Sequence, residues 1–404
     1  MSLPTGTETS SFRLSMLIND TRYRSTTFQA IALVALIFAM GYLVSNLLSN
    51  LSKAGLNINW GFLADTAGYD INQMPIDYNN QMSHGRASMV GAVNTLIVAF
   101  LACVTATVLG VAAGVLRLSK NWVVSKIMAV YVEAFRNVPV LIWILIIFLV
   151  MSNVLPQPRE FRGDAATSAM WFDMIAFTNR GIYVPSAIMG SGSWTVTVAF
   201  LASIIGAFSF KHYATKLLFK TGQMIPTFLP TIVILVVPSV LVFFLMGSPI
   251  GLEYPELKGF NFRGGIHLRL SLIALWFALS IYTGAFIAEN VRAGIQAISS
   301  GQSEAAASLG LRPGKIMSLI ILPQALRVIV PPLISQYLNI TKNSSLAIAV
   351  GYMDITGTLG GITLNQTGRA IECILVLMLF YLVISLSISA IMNVYNNAMK
   401  LEER

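Results

Sequence analysis

MVGAVNTLIVAFLACVTATVLGVAAGVL, residues Met89–Leu116, runs for 28 positions without a charged side chain. About 20 such residues suffice for a helix to cross the hydrocarbon core of a bilayer, so this stretch reads as a transmembrane helix. Seven further apolar runs flank it, at about Thr26–Leu48, Val138–Leu155, Trp194–Phe210, Pro226–Met246, Leu270–Asn290, Ala325–Val350 and Ile371–Val394. Composition agrees. Of 404 residues, 55% are hydrophobic and only 11% charged, against roughly a quarter charged in globular domains, so the apolar surplus must face lipid. The fold class is therefore all-α: a polytopic membrane helical bundle of about eight transmembrane helices. Ala325–Val350 contains Pro331-Pro332 and the polar run Asn339–Ser345, which predict a bent or broken helix there.

Several chemistries fall away. Cys103 and Cys373 each lie inside an apolar run, and His84, His212 and His267 lie in three separate polar stretches, so no spacing suits a disulfide framework or a metal site. The formal net charge of +9 invites a nucleic-acid reading, but the basic residues follow the loops. Loops on the side of the N-terminus, from Arg13 to Arg404, carry about 16 Lys and Arg, whereas the opposite loops carry about 8. Such a bias places both termini in the cytoplasm, and an anionic leaflet accounts for the charge without nucleic acid. The long opposite loops, roughly Ser49–Ser88 and Pro156–Ser193, hold Asp65, Asp70, Asp77, Glu160, Asp164 and Asp173 among aromatics. They read either as a docking face for an external partner or as solvated loops with interfacial aromatics.

The basic loop between Asn290 and Ala325 has its own local logic. Ser303 or Ser299 can cap a short helix, Ser299 and Gln302 have capping-box spacing, and Glu304 then falls at the positive end of the helix dipole. Gly310 suits a left-handed C-terminal cap, and Pro313 can open a second helix at its first position. Ala305, Ala306 and Ala307 leave little side chain between the backbone and a gripping groove, although an Ala-rich run also marks a good helix former.

Glu304-Ala305-Ala306, three residues, Gly310, nine residues, Ile320, one residue, Leu322-Pro323 matches every fixed position of the EAA signature of bacterial ABC-importer membrane subunits. Gly284–Ile295 resembles the segment that precedes this loop in polar amino-acid permeases. Phe135-Arg136-Asn137-Val138-Pro139-Val140-Leu141 is similar to their FRGTPLL stretch, with Asn137-Val138 departing from the usual Gly-Thr, and Lys342-Asn343-Ser344-Ser345-Leu346 to their KDTSL stretch, with Asn343 and Ser344 in place of Asp and Thr. The resemblance covers about Met89–Leu155 and Leu270–Val394, and implies a type I ABC importer transmembrane-domain core. The chain then divides into 1–88, with an extra first span and a periplasmic loop; an ABC transmembrane type-1 domain at 89–394; and a cytoplasmic tail at 395–404. Within that domain, core segments 89–155 and 270–394 flank an insertion, 156–269, with two extra spans. This long form resembles the larger permeases of general L-amino-acid importers, or of glutamate/glutamine/aspartate/asparagine importers, of the bacterial inner membrane.

What the resemblance implies is a transport subunit, not an enzyme, coupled to ABC ATPase subunits through Glu304, Ala305, Ala306, Gly310, Ile320, Leu322 and Pro323. The implied company is a second homologous permease in a heterodimer, a periplasmic amino-acid-binding protein and an L-amino-acid substrate. No cofactor is expected on this chain, ATP and Mg²⁺ belonging to the ATPase. The nearest approach to a phosphate loop, Gly314-Lys315, has leucine at 309 and isoleucine at 316 where glycine and Ser or Thr are needed.

Ionisable residues in the spans are few. Glu289 and Arg292 share a helical face, as a snorkelling ion pair or as a gate. Lys342 sits deep beside Asn343 and Ser345, either facing a substrate carboxylate or pairing with carbonyls freed by the prolines. Asn94 and Thr95 can line a mouth or bond between helices. The alternative, an ion-coupled secondary amino-acid transporter, predicts two related halves with paired discontinuous helices, and no such symmetry is visible.

Overall fold

The structure, a computed structural model, describes residues 16–55, 58–163, 166–223 and 225–398. Arg13, Lys400 and Arg404 of the loop-charge count, Asp164 of the acidic loops and the end of the 395–404 tail lie outside the described residues. Among the described residues, eight helical stretches are long and apolar enough to cross a bilayer, one at each apolar run. The first, α1 (Thr21–Lys53), belongs to a unit of its own, Met1–Gly61, and exposes apolar side chains such as Phe38 and Tyr42 along its length.

In the second unit, Phe62–Arg404, α2 (His84–Arg117) leads to α3 (Trp122–Asn137) and α4 (Val140–Val154). Strands β1 (Ala176–Thr178), β2 (Gly181–Val184) and β3 (Ser186–Met189) precede α5 (Ser193–Thr221) and α6 (Phe228–Leu245). After them come β4 (Ile250–Glu253), β5 (Glu256–Lys258), β6 (Asn261–Arg263) and β7 (Ile266–Arg269). The chain ends with α7 (Leu270–Gln296), α8 (Ser300–Ser308), α9 (Pro313–Ile316), α10 (Leu322–Asn343) and α11 (Ala370–Ala398).

Helices α2 and α7 are the spine. Ala99, Ala102, Ala106, Gly110, Ala113 and Gly114 recur at helical spacing on the buried face of α2, so the two backbones can approach closely. A Cβ on Gly110 would stand 2.5 Å from Cβ of Ile287, and one on Gly114 would stand 2.7 Å from the Ala288 carbonyl oxygen. Ile144 of α4 and Ile329 and Ile340 of α10 complete this core with Leu275 and Leu279 of α7.

Four features depart from the sequence reading. Residues 122–137, expected as loop, form α3; Asn121 caps it by accepting from the amides of Val123 and Val124, and it ends at Val138-Pro139. Lys211, Lys216 and Lys220, expected in a loop, sit on the continuation of α5, which runs on to a left-handed Gly222. The prolines at 331 and 332 do not break α10. Their ring geometry suits helical φ, and the α-helix instead gives way at Ser344, where the hydroxyls of Ser344 and Ser345 bond back to the carbonyls of Thr341 and Lys342 at 2.8 and 2.7 Å. The chain tightens there into a 3₁₀ turn, Ser344–Val350, while a π-helical turn, Met317–Ile321, precedes α10.

The fourth departure is the strands. β2 pairs antiparallel with β7, and β3 with β4, so the two ends of the inserted segment are zipped together and α5 and α6 leave and return side by side. The insertion is thereby a closed detour between α4 and α7.

Candidate functional site

Helix α8 begins where Ser299 accepts a hydrogen bond from the Gly301 amide at 3.3 Å. Ser299, rather than Ser303, is the cap. Glu304 is consequently the fifth helical residue, beyond the first turn, and the dipole contact expected for it is not made. The capping box is incomplete too, because the Gln302 side chain reaches Gln324 at 3.5 Å. The other end follows expectation. Gly310 has φ of 76°, its amide bonds the Ala307 carbonyl, and the Leu311 amide bonds the Ala306 carbonyl, which is a complete Schellman cap. Pro313 then opens α9.

Packing gives α8 two faces. Ala306 is buried against Ile316 and Ile321, with Ile320 and Leu311 half-buried around them, and this apolar foot fixes the helix to α9 and the start of α10. Glu304, Ala305 and Ala307 are exposed, as are Gly310, Leu322 and Pro323, and Leu309 is 82% exposed at the tip. A short helix capped at both ends thus rests on Ile295 of α7 and on α9, with its apolar tip exposed.

Beside it at this end of the bundle lies an arginine cluster. Glu289 of α7 pairs with Arg292 at 2.5 Å, as the spacing predicts, but also with Arg117 at the end of α2 and with Arg136 of α3 at 4.0 Å. Arg117 lies 3.5 Å from Glu133 as well, and Arg136 stacks over Phe286. One carboxylate therefore ties the ends of three helices, in a cluster with three guanidiniums and two carboxylates. Arg117 and Glu133 were not singled out by the sequence, and no local spacing pointed to them; Arg136 stood out within a motif, but not as a partner of Glu289.

At the opposite end, Asn94 and Thr95 are fully buried. The Asn94 amide donates to the carbonyls of Gln73 and Met353, both at 2.9 Å, and the Thr95 hydroxyl accepts from the Ile355 amide at 3.1 Å. Tyr352 donates back to the Asn94 carbonyl. These residues hold the connection between the last two spans against α2. Within it, Asp354 is fully buried, accepting from the Gly357 amide at 2.9 Å, and lies 3.4 Å from the Tyr381 hydroxyl. Burial pushes its carboxyl up to about 7, against the lowering effect of those hydrogen bonds. Lys342 is exposed, and among the described residues its ammonium has no ion-pair partner; Asn343 and Ser345 beside it are half-buried. Asn94 and Thr95 are thus engaged in packing, whereas Lys342 is open to an outside group. Among the described residues, no group of three His, Cys, Asp or Glu is placed to hold a metal ion.

Eight apolar spans among the described residues, with a capped helix on an apolar foot between α7 and α10, define a multi-pass membrane transport subunit. The chain belongs to the family of binding-protein-dependent transport system inner membrane components, which matches residues 198–401. Its relatives include the glutamate/glutamine/aspartate/asparagine transport system permease protein BztB of Rhodobacter capsulatus, 48% identical over the whole of both chains. Another is the general L-amino acid transport system permease protein AapQ of Rhizobium johnstonii, 41% identical over 98% of this chain and 96% of the relative.

Proposed function

We propose that this chain is the permease of an ATP-driven importer of polar L-amino acids, and that α8 is the element a partner ATPase grips. The observation that carries the reading is the geometry of α8, capped at both ends, anchored by Ala306 and exposing Glu304, Ala305 and Leu309. Coupling between two sites requires an element whose position both bias, and a short rigid helix transmits displacement to α10 through the π-helical turn. ATP and Mg²⁺ belong to the partner, and the names of the relatives support an amino-acid cargo. In this reading α8 and both termini face the cytoplasm, a second permease completes the pathway, and a periplasmic binding protein delivers substrate to the strand end. Exposed Lys342, with Asn343 and Ser345, then faces the shared pathway, and Glu289 with Arg292 serves the inner gate.

The test is a mild-detergent pull-down of tagged chain from its own membrane, with ATPase activity measured on an amino-acid panel with binding protein. An ATPase and a second permease in the eluate, with hydrolysis stimulated by amino acids, is the expected result. Glu304→Ala and Leu309→Asp are expected to insert normally yet separate hydrolysis from uptake. Transport by the chain alone, persisting after ATP depletion on an ion gradient, would overturn the proposal.

A further inference from the structure

The inserted segment builds one wall of a cleft. At the strand end of the second unit, a cavity of about 480 Å³ opens between the strands, the end of α4, the start of α7 and the 3₁₀ turn before Gly351. Its size falls in the range of about 300–1,000 Å³ typical of small-molecule sites. Arg180, on the turn between β1 and β2, and Arg269, the last residue of β7, both line it, with His267, Asn72 and Asn179. Among the described residues, no Asp or Glu lines it.

Both guanidiniums are fixed in place without being neutralised. Arg269 Nε donates to the Asn72 carbonyl at 2.7 Å, and Arg180 Nη1 to the Phe260 carbonyl at 3.3 Å. Each retains further N–H donors, and among the described residues neither forms an ion pair. His267 lies flat on Tyr183, ring centroids 4.1 Å apart, and its Nε2 donates to the Arg180 carbonyl at 3.1 Å, which sets the turn that carries Arg180. Burial pushes the His267 ring below the ordinary histidine value, with the Arg269 charge adding to that effect, so it serves as a neutral support.

Two arginines facing one polar cleft repel each other until an anion sits between them, and the planar fork of each suits an oxygen pair. Neutral Asn72, Asn179 and Ser271 add hydrogen-bonding groups of the kind an ammonium or a second carboxylate needs. We propose that this cleft binds an anionic amino acid, its carboxylates on Arg180 and Arg269, so that the inserted segment acts as a charge-selective vestibule of the permease. The inference rests on the amino-acid-permease reading. The cleft shares Asn72 and Gly351 with a second, uncharged cleft of about 630 Å³ lined by Tyr352 and Met353, a continuation toward the connection that α2 holds.

The experiment uses the whole transporter complex in nanodiscs of neutral lipid, titrated calorimetrically with L-glutamate and with L-glutamine, its uncharged isostere, in the absence of binding protein. Glutamate is expected to bind more tightly than glutamine. Arg180→Gln and Arg269→Gln are each expected to weaken glutamate by about tenfold or more; glutamine, which keeps the α-carboxylate, is expected to weaken with it in one variant and to shift less than about twofold in the other, where the arginine that takes the side-chain carboxylate is lost. Arg→Lys at either position is expected to fall between, because charge survives and the fork does not. Arg269 also holds Asn72, so Arg180→Gln, on an exposed turn, carries the test if the other variant does not accumulate. Equal weakening of both amino acids by both variants, no weakening of glutamate by either, or a response to anionic lipid but not to glutamate would each overturn the vestibule. A complex whose wild type takes up only uncharged amino acids also overturns it and leaves the permease reading standing; one that takes up none overturns both.

Discussion

Glu289→Gln isolates the arginine cluster. The substitution keeps shape and one carbonyl acceptor but leaves Arg117, Arg136 and Arg292 with only Glu133 to balance them. Removing one partner of a fully buried pair costs about 3–5 kcal/mol, whereas an exposed pair contributes about 0–1 kcal/mol. Side-chain exposure here is 23% for Glu289, 17% for Arg117 and 28% for Arg292, so the site lies between those limits. A loss of about 2 kcal/mol is expected after solvent screening is allowed for. Thermal unfolding of the purified protein in detergent measures it, with Glu256→Gln, whose pair with Lys258 is on the surface, as the control that barely moves. A double-mutant cycle with Arg117→Gln assigns the cause, since residues in one ion-pair network couple by about 0.5–3 kcal/mol. Additive melting shifts, or a Glu289 variant no different from the Glu256 control, would refute the argument that one carboxylate ties three helix ends.

Gly114→Leu places a Cβ 2.7 Å from the Ala288 carbonyl oxygen and 2.8 Å from Val291, so the variant is expected to lose its monodisperse peak on size exclusion, whereas Gly41→Leu, with nothing within 4 Å, is expected to keep it. Gly310→Ala adds no clash but forces an alanine to φ of 76°, a strain of about 1–2 kcal/mol confined to the turn; ATPase recovery in the pull-down is expected to fall while membrane insertion stays normal. For Asp354, raised to about 7 from an ordinary 3.8, the folded state favours the neutral carboxyl. Its stabilising contribution is complete below the unfolded value and is lost as pH rises through about 7. The wild-type melting temperature is expected to fall between those pH values by an increment absent from Asp354→Asn; equal pH slopes would refute it.

The spans were legible because lipid imposes one simple demand, a long apolar run, and each of the eight runs contains a helix. The end of α8 was legible for a similar reason, since Gly310 and Pro313 act through their own backbone geometry. What escaped depends on distance or on length. Glu289 meets Arg117 across 172 residues of sequence, which no helical spacing announces. The strands are three or four residues long, too short for alternation to stand out, and β2 finds β7 only after two helices have intervened. The start of α8 was ambiguous because two serines were eligible, and choosing between them moved Glu304 by a full turn relative to the helix end. The cleft arginines were scattered among loop charges, since only the zipped insertion brings Arg180 beside the start of α7.

Helix α10 carries a π-helical turn at its beginning and a 3₁₀ turn after its end. The first is underwound, closing its bonds over five residues, and the second is overwound, closing them over three. A shaft with slack coiled into one end and tension into the other can twist about its own axis by exchanging the two, with the α-helical length between them left whole. Torque applied at the foot of α8 would then arrive at Gly351 as rotation rather than as tilt, and would swing Lys342 around the barrel of the helix without breaking its turns.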